Sequence, residues 1–155
     1  MNKDNSRRIS AIAVTAALVC AFSSSSQAGE WSANASMTSN YIWRGLTQTE
    51  NEAAVQGGID YAGDSGFYIG TWASNVNYGA GDVYSYEHDI YAGFAFDTGD
   101  ISWDVGYLYY NYDKEAEFDF SEVYIGVGIG NFSAQYNVLA DTEADEAPGQ
   151  DFGFG

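Results

Sequence analysis

YEHDIYAGFAFDTGDISWDVGYLYYNY, residues Tyr86 to Tyr112, is the stretch whose reading decides the fold. From Tyr86 to Phe96 the even positions are Tyr86, His88, Ile90, Ala92, Phe94 and Phe96, and the odd ones Glu87, Asp89, Tyr91, Gly93 and Ala95. This period of two is that of a β-strand with two unlike faces. After Asp97-Thr98-Gly99-Asp100 the parity reverses: Ile101, Trp103, Val105, Tyr107 and Tyr109 now form the apolar set, opposed by Ser102, Asp104, Gly106 and Leu108. A four-residue loop pairing Phe96 with Ile101 keeps both apolar sets on one face. Aromatic rings stand at both ends of that face, with Ile90, Ala92 and Val105 between them. A soluble sheet gains nothing from such banding, whereas a strand crossing a bilayer sets its aromatic rings at the two interfaces.

The same rhythm extends outward in both directions. Trp31 to Arg44 reads as a first strand with aromatics at both ends (Trp31; Tyr41 and Trp43), interrupted at Ser39 and Ile42. Ala53 to Tyr61 sets Val55, Ile59 and Tyr61 against Gln56, Gly58 and Asp60. In Phe67 to Tyr78 two sets compete, and Phe67, Ile69 and Ala73 are assigned to lipid over Tyr68, Trp72 and Val76. Beyond the central hairpin, Val123, Ile125, Val127 and Ile129 oppose Glu122, Tyr124, Gly126 and Gly128. Gly130-Asn131 then turns the chain so that Ile129 pairs with Phe132, opening a strand in which Ala134, Tyr136 and Val138 oppose Gln135 and Asn137. Asp151 to Gly155 reads as the start of an eighth strand. The connections at 62 to 66, 97 to 100 and 130 to 131 are short; those at 45 to 52, 79 to 85, 113 to 120 and 141 to 150 are longer and mostly more acidic. That alternation predicts an all-β, antiparallel up-and-down transmembrane β-barrel, with seven to eight strands visible, rather than a Greek-key sandwich.

Composition agrees. Aromatic residues make up 17% of the chain, with 18 glycines and one proline, which favours strands joined by tight turns. The formal charge of -17 excludes nucleic acid as a partner, since too few bases are present to neutralise phosphates. Residues 1 to 28 read as a secretory signal peptide: Lys3, Arg7 and Arg8 precede an apolar run from Ile9 to Phe22, and Ser26 and Ala28 occupy the small positions of a cleavage site. Cys20 lies within that segment, so the mature chain from Gly29 has no disulfides. Removing the leader takes away three bases and one acid, leaving Arg44 and Lys114 against 21 acids, a formal charge of -19. Residues 29 to 155 are expected to form one barrel domain in the outer membrane of a Gram-negative bacterium.

SNYIWRGLTQTENEAAVQGGIDYAGDSGFYIGTWASNV (Ser39 to Val76) and VGYLYYNY (Val105 to Tyr112) resemble the TorF family of proteobacterial porins, long catalogued as a conserved family of unknown function. The resemblance covers most of the mature chain, and its YIWRG, TQT and GFYIGTWASN blocks are fairly specific. It implies a secreted outer-membrane barrel with pore activity. Members of the family are longer, which implies that this chain is the N-terminal part of a larger barrel.

Motif-like groups have plainer explanations. Gly126 to Gly130 has the spacing of a phosphate loop, but no helix pattern follows it. Asp141 to Glu146 has a calcium-loop flavour, yet Glu146 stands where the glycine belongs. His88, the sole histidine, is set opposite Tyr109 by the expected register with no serine beside it. A lipid-hydrolase site is therefore not favoured, and neither enzymatic activity nor a cofactor is expected. The inward face collects Asp60, Glu87, Asp89, Asp104 and Glu122, with Arg44 as its one base. These six are the expected pore-lining residues, Arg44 bracing the mouth against Glu87 or Glu122. The expected function is a porin for small, cationic solutes, since carboxylate rings favour cations. A non-conducting surface barrel acting through its acidic loops is the alternative. Expected partners are outer-membrane lipid and lipopolysaccharide together with the solutes themselves, and homo-oligomerisation is left open.

Overall fold

The computed structural model describes residues 29–143 and 150–151. The expected signal peptide, with Cys20 and its cleavage point, lies outside the described residues, as do 144–149 in the acidic segment and 152–155 of the last strand. The described chain is all-β. Eight strands form one antiparallel sheet: β1 (Glu30–Thr38), β4 (Ala54–Ala62), β5 (Phe67–Asn75), β6 (Tyr86–Thr98), β7 (Ile101–Tyr112), β8 (Phe120–Ile129), β9 (Phe132–Thr142) and β10 (Gln150–Asp151). They lie side by side in chain order, each beside its predecessor in the sheet, while β2 (Ile42–Trp43) and β3 (Leu46–Thr47) form a separate two-stranded hairpin between β1 and β4. Among the described residues β1 and β10 are the two edges of the sheet, and no pairing joins them.

The expected alternation of faces holds along the sheet. Val55, Ile59, Phe67, Ile69, Ile90, Phe94, Phe96, Val105, Val123, Ile125 and Ile129 are exposed, all on one face. Gln56, Ser74, Glu87, Asp89, Glu122 and Asn137 on the opposite face are buried. This inverts the ordinary arrangement of a water-soluble domain, in which carboxylates are almost never fully buried. The competing sets in β5 resolve as expected, with Phe67, Ile69 and Ala73 outward and Tyr68 and Trp72 inward. The sheet curls around its polar face: Tyr68 on β5 reaches Tyr124 on β8 across two intervening strands, and Tyr91 on β6 reaches Asp60 on β4 across one.

Two sequence expectations need correction. The central hairpin pairs Thr98 with Ile101 and Phe96 with Trp103, not Phe96 with Ile101. The turn is therefore the two residues Gly99-Asp100, with Gly99 at φ +66, since a two-residue turn with positive φ at its first position matches the twist of the flanking strands. The slip is two residues, so every side chain keeps its face. His88 consequently stands opposite Asn111 instead of Tyr109. The second correction is to the first strand, which stops at Thr38. Ser39 and Ile42, where the alternation falters, mark the point at which the chain leaves the sheet and turns inward. The turn at Gly130-Asn131 pairs Ile129 with Phe132 as expected.

Candidate functional site

The segment expected to be a polar loop, 45 to 52, belongs to a hairpin folded against the concave face. Arg44 and Gly45 form its tip with φ of 46 and 85, two left-handed residues in succession, as a two-residue hairpin turn of the I′ kind requires. Arginine is an unfavoured residue there, so the position is held by what its side chain reaches. Arg44 Nη1 and Nη2 donate to Glu122 Oε1 and Oε2, both at 2.8 Å, a bidentate pair across 78 residues. The guanidinium also lies 4.2 Å from the centroid of the Trp43 ring. Trp43 packs edge-on against Tyr110, and Tyr41 edge-on against Trp72. The base of the hairpin is knotted by polar side chains: Thr47 Oγ1 donates to Asn40 Oδ1 at 2.7 Å, fully buried Thr49 donates to the Glu52 carbonyl at 2.7 Å, and Tyr78 Oη donates to Gln48 Oε1 at 2.6 Å. The YIWRG and TQT blocks are thus one device: the first reaches into the concavity and the second ties it down.

Around this hairpin three of the inner-face acids, Glu87, Asp104 and Asp60, are held by tyrosines. Glu87, 2% exposed, accepts from Tyr41 Oη at 2.7 Å and Tyr112 Oη at 2.9 Å. Glu122, 3% exposed, accepts from Asn137 Nδ2 at 2.9 Å in addition to Arg44. Asp104 accepts from Tyr68 Oη at 2.6 Å, and Asp60 from Tyr91. Each such bond supplies part of the solvation that burial removes.

Three of the inward tyrosines lie across glycines of the neighbouring strand. Tyr68 is opposite Gly93, Tyr91 opposite Gly70, and Tyr124 opposite Gly106. A Cβ at Gly70 would stand 2.6 Å from the Tyr91 ring, and one at Gly106 would stand 2.5 Å from that of Tyr124. The glycines leave the floor on which the rings lie, so that Tyr68 and Tyr91 reach their acids and Tyr124 reaches Tyr68. Gly106→Ala should displace the Tyr124 ring and destabilise the sheet by about 1–3 kcal/mol, the usual range for overpacking. Gly126→Ala, whose Cβ would meet nothing closer than 3.5 Å, should be tolerated; urea unfolding of both variants makes the comparison.

At the long-loop end two aspartates clasp the connections. Asp113 accepts from Ser85 N at 2.6 Å, Ser85 Oγ at 2.7 Å and Tyr86 N at 3.1 Å. Asp119 accepts from Tyr109 Oη, Asn111 Nδ2 and Tyr112 N at 2.5 to 2.8 Å. Burial alone would raise both carboxyl pKa values, but these donors outweigh it and hold both below the usual aspartate range. A depressed folded-state pKa contributes stability that is present above the unfolded value, about 3.9, and is lost as pH falls through the folded value. Exchange of the Ser85, Tyr86 and Tyr112 amides, corrected for intrinsic rates, should therefore be flat from pH 8 to 5 and accelerate below about pH 4.

All six residues expected to line a lumen lie on or over the concave face, but not as one ring. Arg44, Glu87, Asp89 and Glu122 gather about the hairpin, while Asp60 and Asp104 are each tied to a separate tyrosine. Of the two expected partners for Arg44, the structure selects Glu122, and Arg44 reaches it from a hairpin tip and not from a strand end. Sequence reading missed Tyr68, Tyr91, Tyr110 and Tyr112 as the acids' partners. Their parity carried the signal, since Tyr91 shares a face with Asp89, and Tyr110 and Tyr112 share one with Asp104. His88 makes a 2.7 Å hydrogen bond with Thr71 Oγ1, away from the acids. The glycine run is strand β8 and its turn into β9. Among the described residues no group of three His, Cys, Asp or Glu side chains could hold a metal ion, and no helix is long and apolar enough to cross a membrane.

Fold and site together define an all-β protein with an antiparallel, neighbour-paired sheet, apolar outside and acidic within. The family described as "Bacterial protein of unknown function (Gcw_chp)" matches residues 22–150, and the chain belongs to that family. No curated protein and no solved structure matches it.

Proposed function

We propose that this protein is an outer-membrane β-barrel porin whose acidic concave face conducts small cationic solutes, with the β2–β3 hairpin narrowing its mouth. The observation that carries the reading is the inversion of polarity: large apolar side chains exposed on one face of a curled sheet, and buried carboxylates on the other. A barrel in lipid needs that arrangement and a domain in water does not. Short turns at Gly63–Gly66, Gly99-Asp100 and Gly130-Asn131 alternate with longer connections, as in barrels with periplasmic turns and extracellular loops. The resemblance to TorF porins and the secretory leader belong to the same proposal. Five inner-face acids against one base would concentrate cations, and screening over about 10 Å at 0.1 M salt makes the preference fall as ionic strength rises.

The test is the reversal potential of the full-length protein across a planar bilayer under a salt gradient. A cation-selective potential that shrinks with salt is the expected result. Anion selectivity would overturn the assignment of the inner face. A second reading, a non-conducting barrel acting at the cell surface, is favoured by the tyrosine hydroxyls and Arg44 that occupy most of the acids; absence of conductance would decide for it.

A further inference from the structure

Of the three acids gathered under the hairpin, two are accounted for. Glu122 is paired with Arg44, and both oxygens of Glu87 accept from tyrosines. Asp89 differs: it is 8% exposed, and its Oδ1 has no hydrogen-bond partner. A carboxyl oxygen held out of water with no hydrogen-bond partner is costly, and among the described residues the inner face offers no second base beside it.

The surroundings of Asp89 are aromatic. Register sets it opposite Trp72 on β5 and Tyr110 on β7, all three on the concave side, where directly opposed side chains are nearest neighbours. The β2–β3 hairpin and the Tyr41 that leads into it lie over this spot, because they contact its neighbours: Tyr41 touches Trp72 and Glu87, Trp43 touches Tyr110, and Arg44 holds Glu122. A buried carboxyl group flanked by aromatic residues matches an organic cation, which takes a hydrogen bond at its charged head and ring contact along its flank. Arg44 displays the same recognition two strands away, with the Glu122 carboxylate at its tip and the Trp43 ring beside it. A divalent metal does not fit, since among the described residues no three ligating groups converge.

We propose that Asp89, between Trp72 and Tyr110 and beneath the hairpin, is a binding seat for the guanidinium or ammonium group of a small organic solute. The inference rests on the inner face being a solute path and names the class of solute recognised there. The β2–β3 hairpin is the cover that such a solute displaces on entry.

The experiment is calorimetric titration of the full-length protein, refolded in uncharged detergent at low salt, with methylguanidinium and with its uncharged isostere methylurea. Saturable one-to-one binding of methylguanidinium is expected, weakened about tenfold or more by Asp89→Asn. Asp64→Asn, in an exposed turn, should leave it unchanged, and methylurea should not bind. Trp72→Leu should also weaken binding, which keeps the test open should Asp89→Asn fail to refold. Equal affinity in wild type and Asp89→Asn, equal binding of methylurea, or no saturable binding would each overturn the seat. Because binding is read without current, a protein that binds but does not conduct would overturn the pore and leave the seat standing, and one that conducts without binding would overturn the seat alone.

Discussion

Arg44→Ala is expected to cost about 3–5 kcal/mol of unfolding free energy, the range for leaving one partner of a buried ion pair uncompensated. Glu122 is the reason. It is almost wholly buried, and two of its strongest donors are the paired nitrogens of this one guanidinium. Lysine cannot reproduce a two-point contact, so Arg44→Lys should recover only part of the loss. Arg44→Ala combined with Glu122→Gln should be more stable than Arg44→Ala alone, because the amide needs no counter-charge. Denaturant unfolding of the four proteins in detergent decides the matter. Equal stability of Arg44→Ala and wild type would show that the hairpin is not held by the pair.

The second large effect separates the two faces. Val105 and Ile125 are register partners on the outer face, 36% and 44% exposed. For a domain in water, lysine at such exposed positions should change stability by about 0.5 kcal/mol or less. For strands in a bilayer, each substitution should cost about 2–4 kcal/mol near the midplane. Gln135→Lys, on the inner parity of β9, should cost far less in either setting. Refolding the three variants into phospholipid vesicles and following urea denaturation distinguishes the cases; near-equal, small costs at all three sites would remove the membrane from the interpretation.

The faces of the sheet were legible in the sequence because a period of two survives any slip of two residues. The Phe96–Ile101 register was therefore wrong while the assignment of Ile90, Val105, Glu87 and Asp104 to their faces was right. The site was only half legible. Counting acids by parity located Glu87, Asp89 and Glu122, but a strand pattern cannot describe a chain that leaves its strand. A period of two accordingly sets Tyr41 and Trp43 at the end of the first strand, when they fold back against Glu87 and Tyr110. The two interruptions at Ser39 and Ile42 were visible. What they meant depended on contacts 46 and 78 residues away, from Tyr41 to Glu87 and from Arg44 to Glu122, which no local pattern encodes. The glycines opposite Tyr68, Tyr91 and Tyr124 were hidden for the same reason, since pairing a glycine with a ring needs the register first.

Chain-order pairing has a further consequence, for the route by which the sheet is built. Except where the β2–β3 hairpin intervenes, every strand joins the one before it in the chain across a connection of two to ten residues, so loop-closure entropy stays small at each addition. Such a sheet can zip up hairpin by hairpin, with no step that waits on distant parts of the chain. The contacts from Arg44 to Glu122 and Tyr68 to Tyr124 are of the opposite kind, spanning several strands already in place. Formation of the acidic, tyrosine-lined interior is thus the late event, and slow-folding variants should map to those residues while substitutions in the Gly99-Asp100 and Gly130-Asn131 turns alter the early steps.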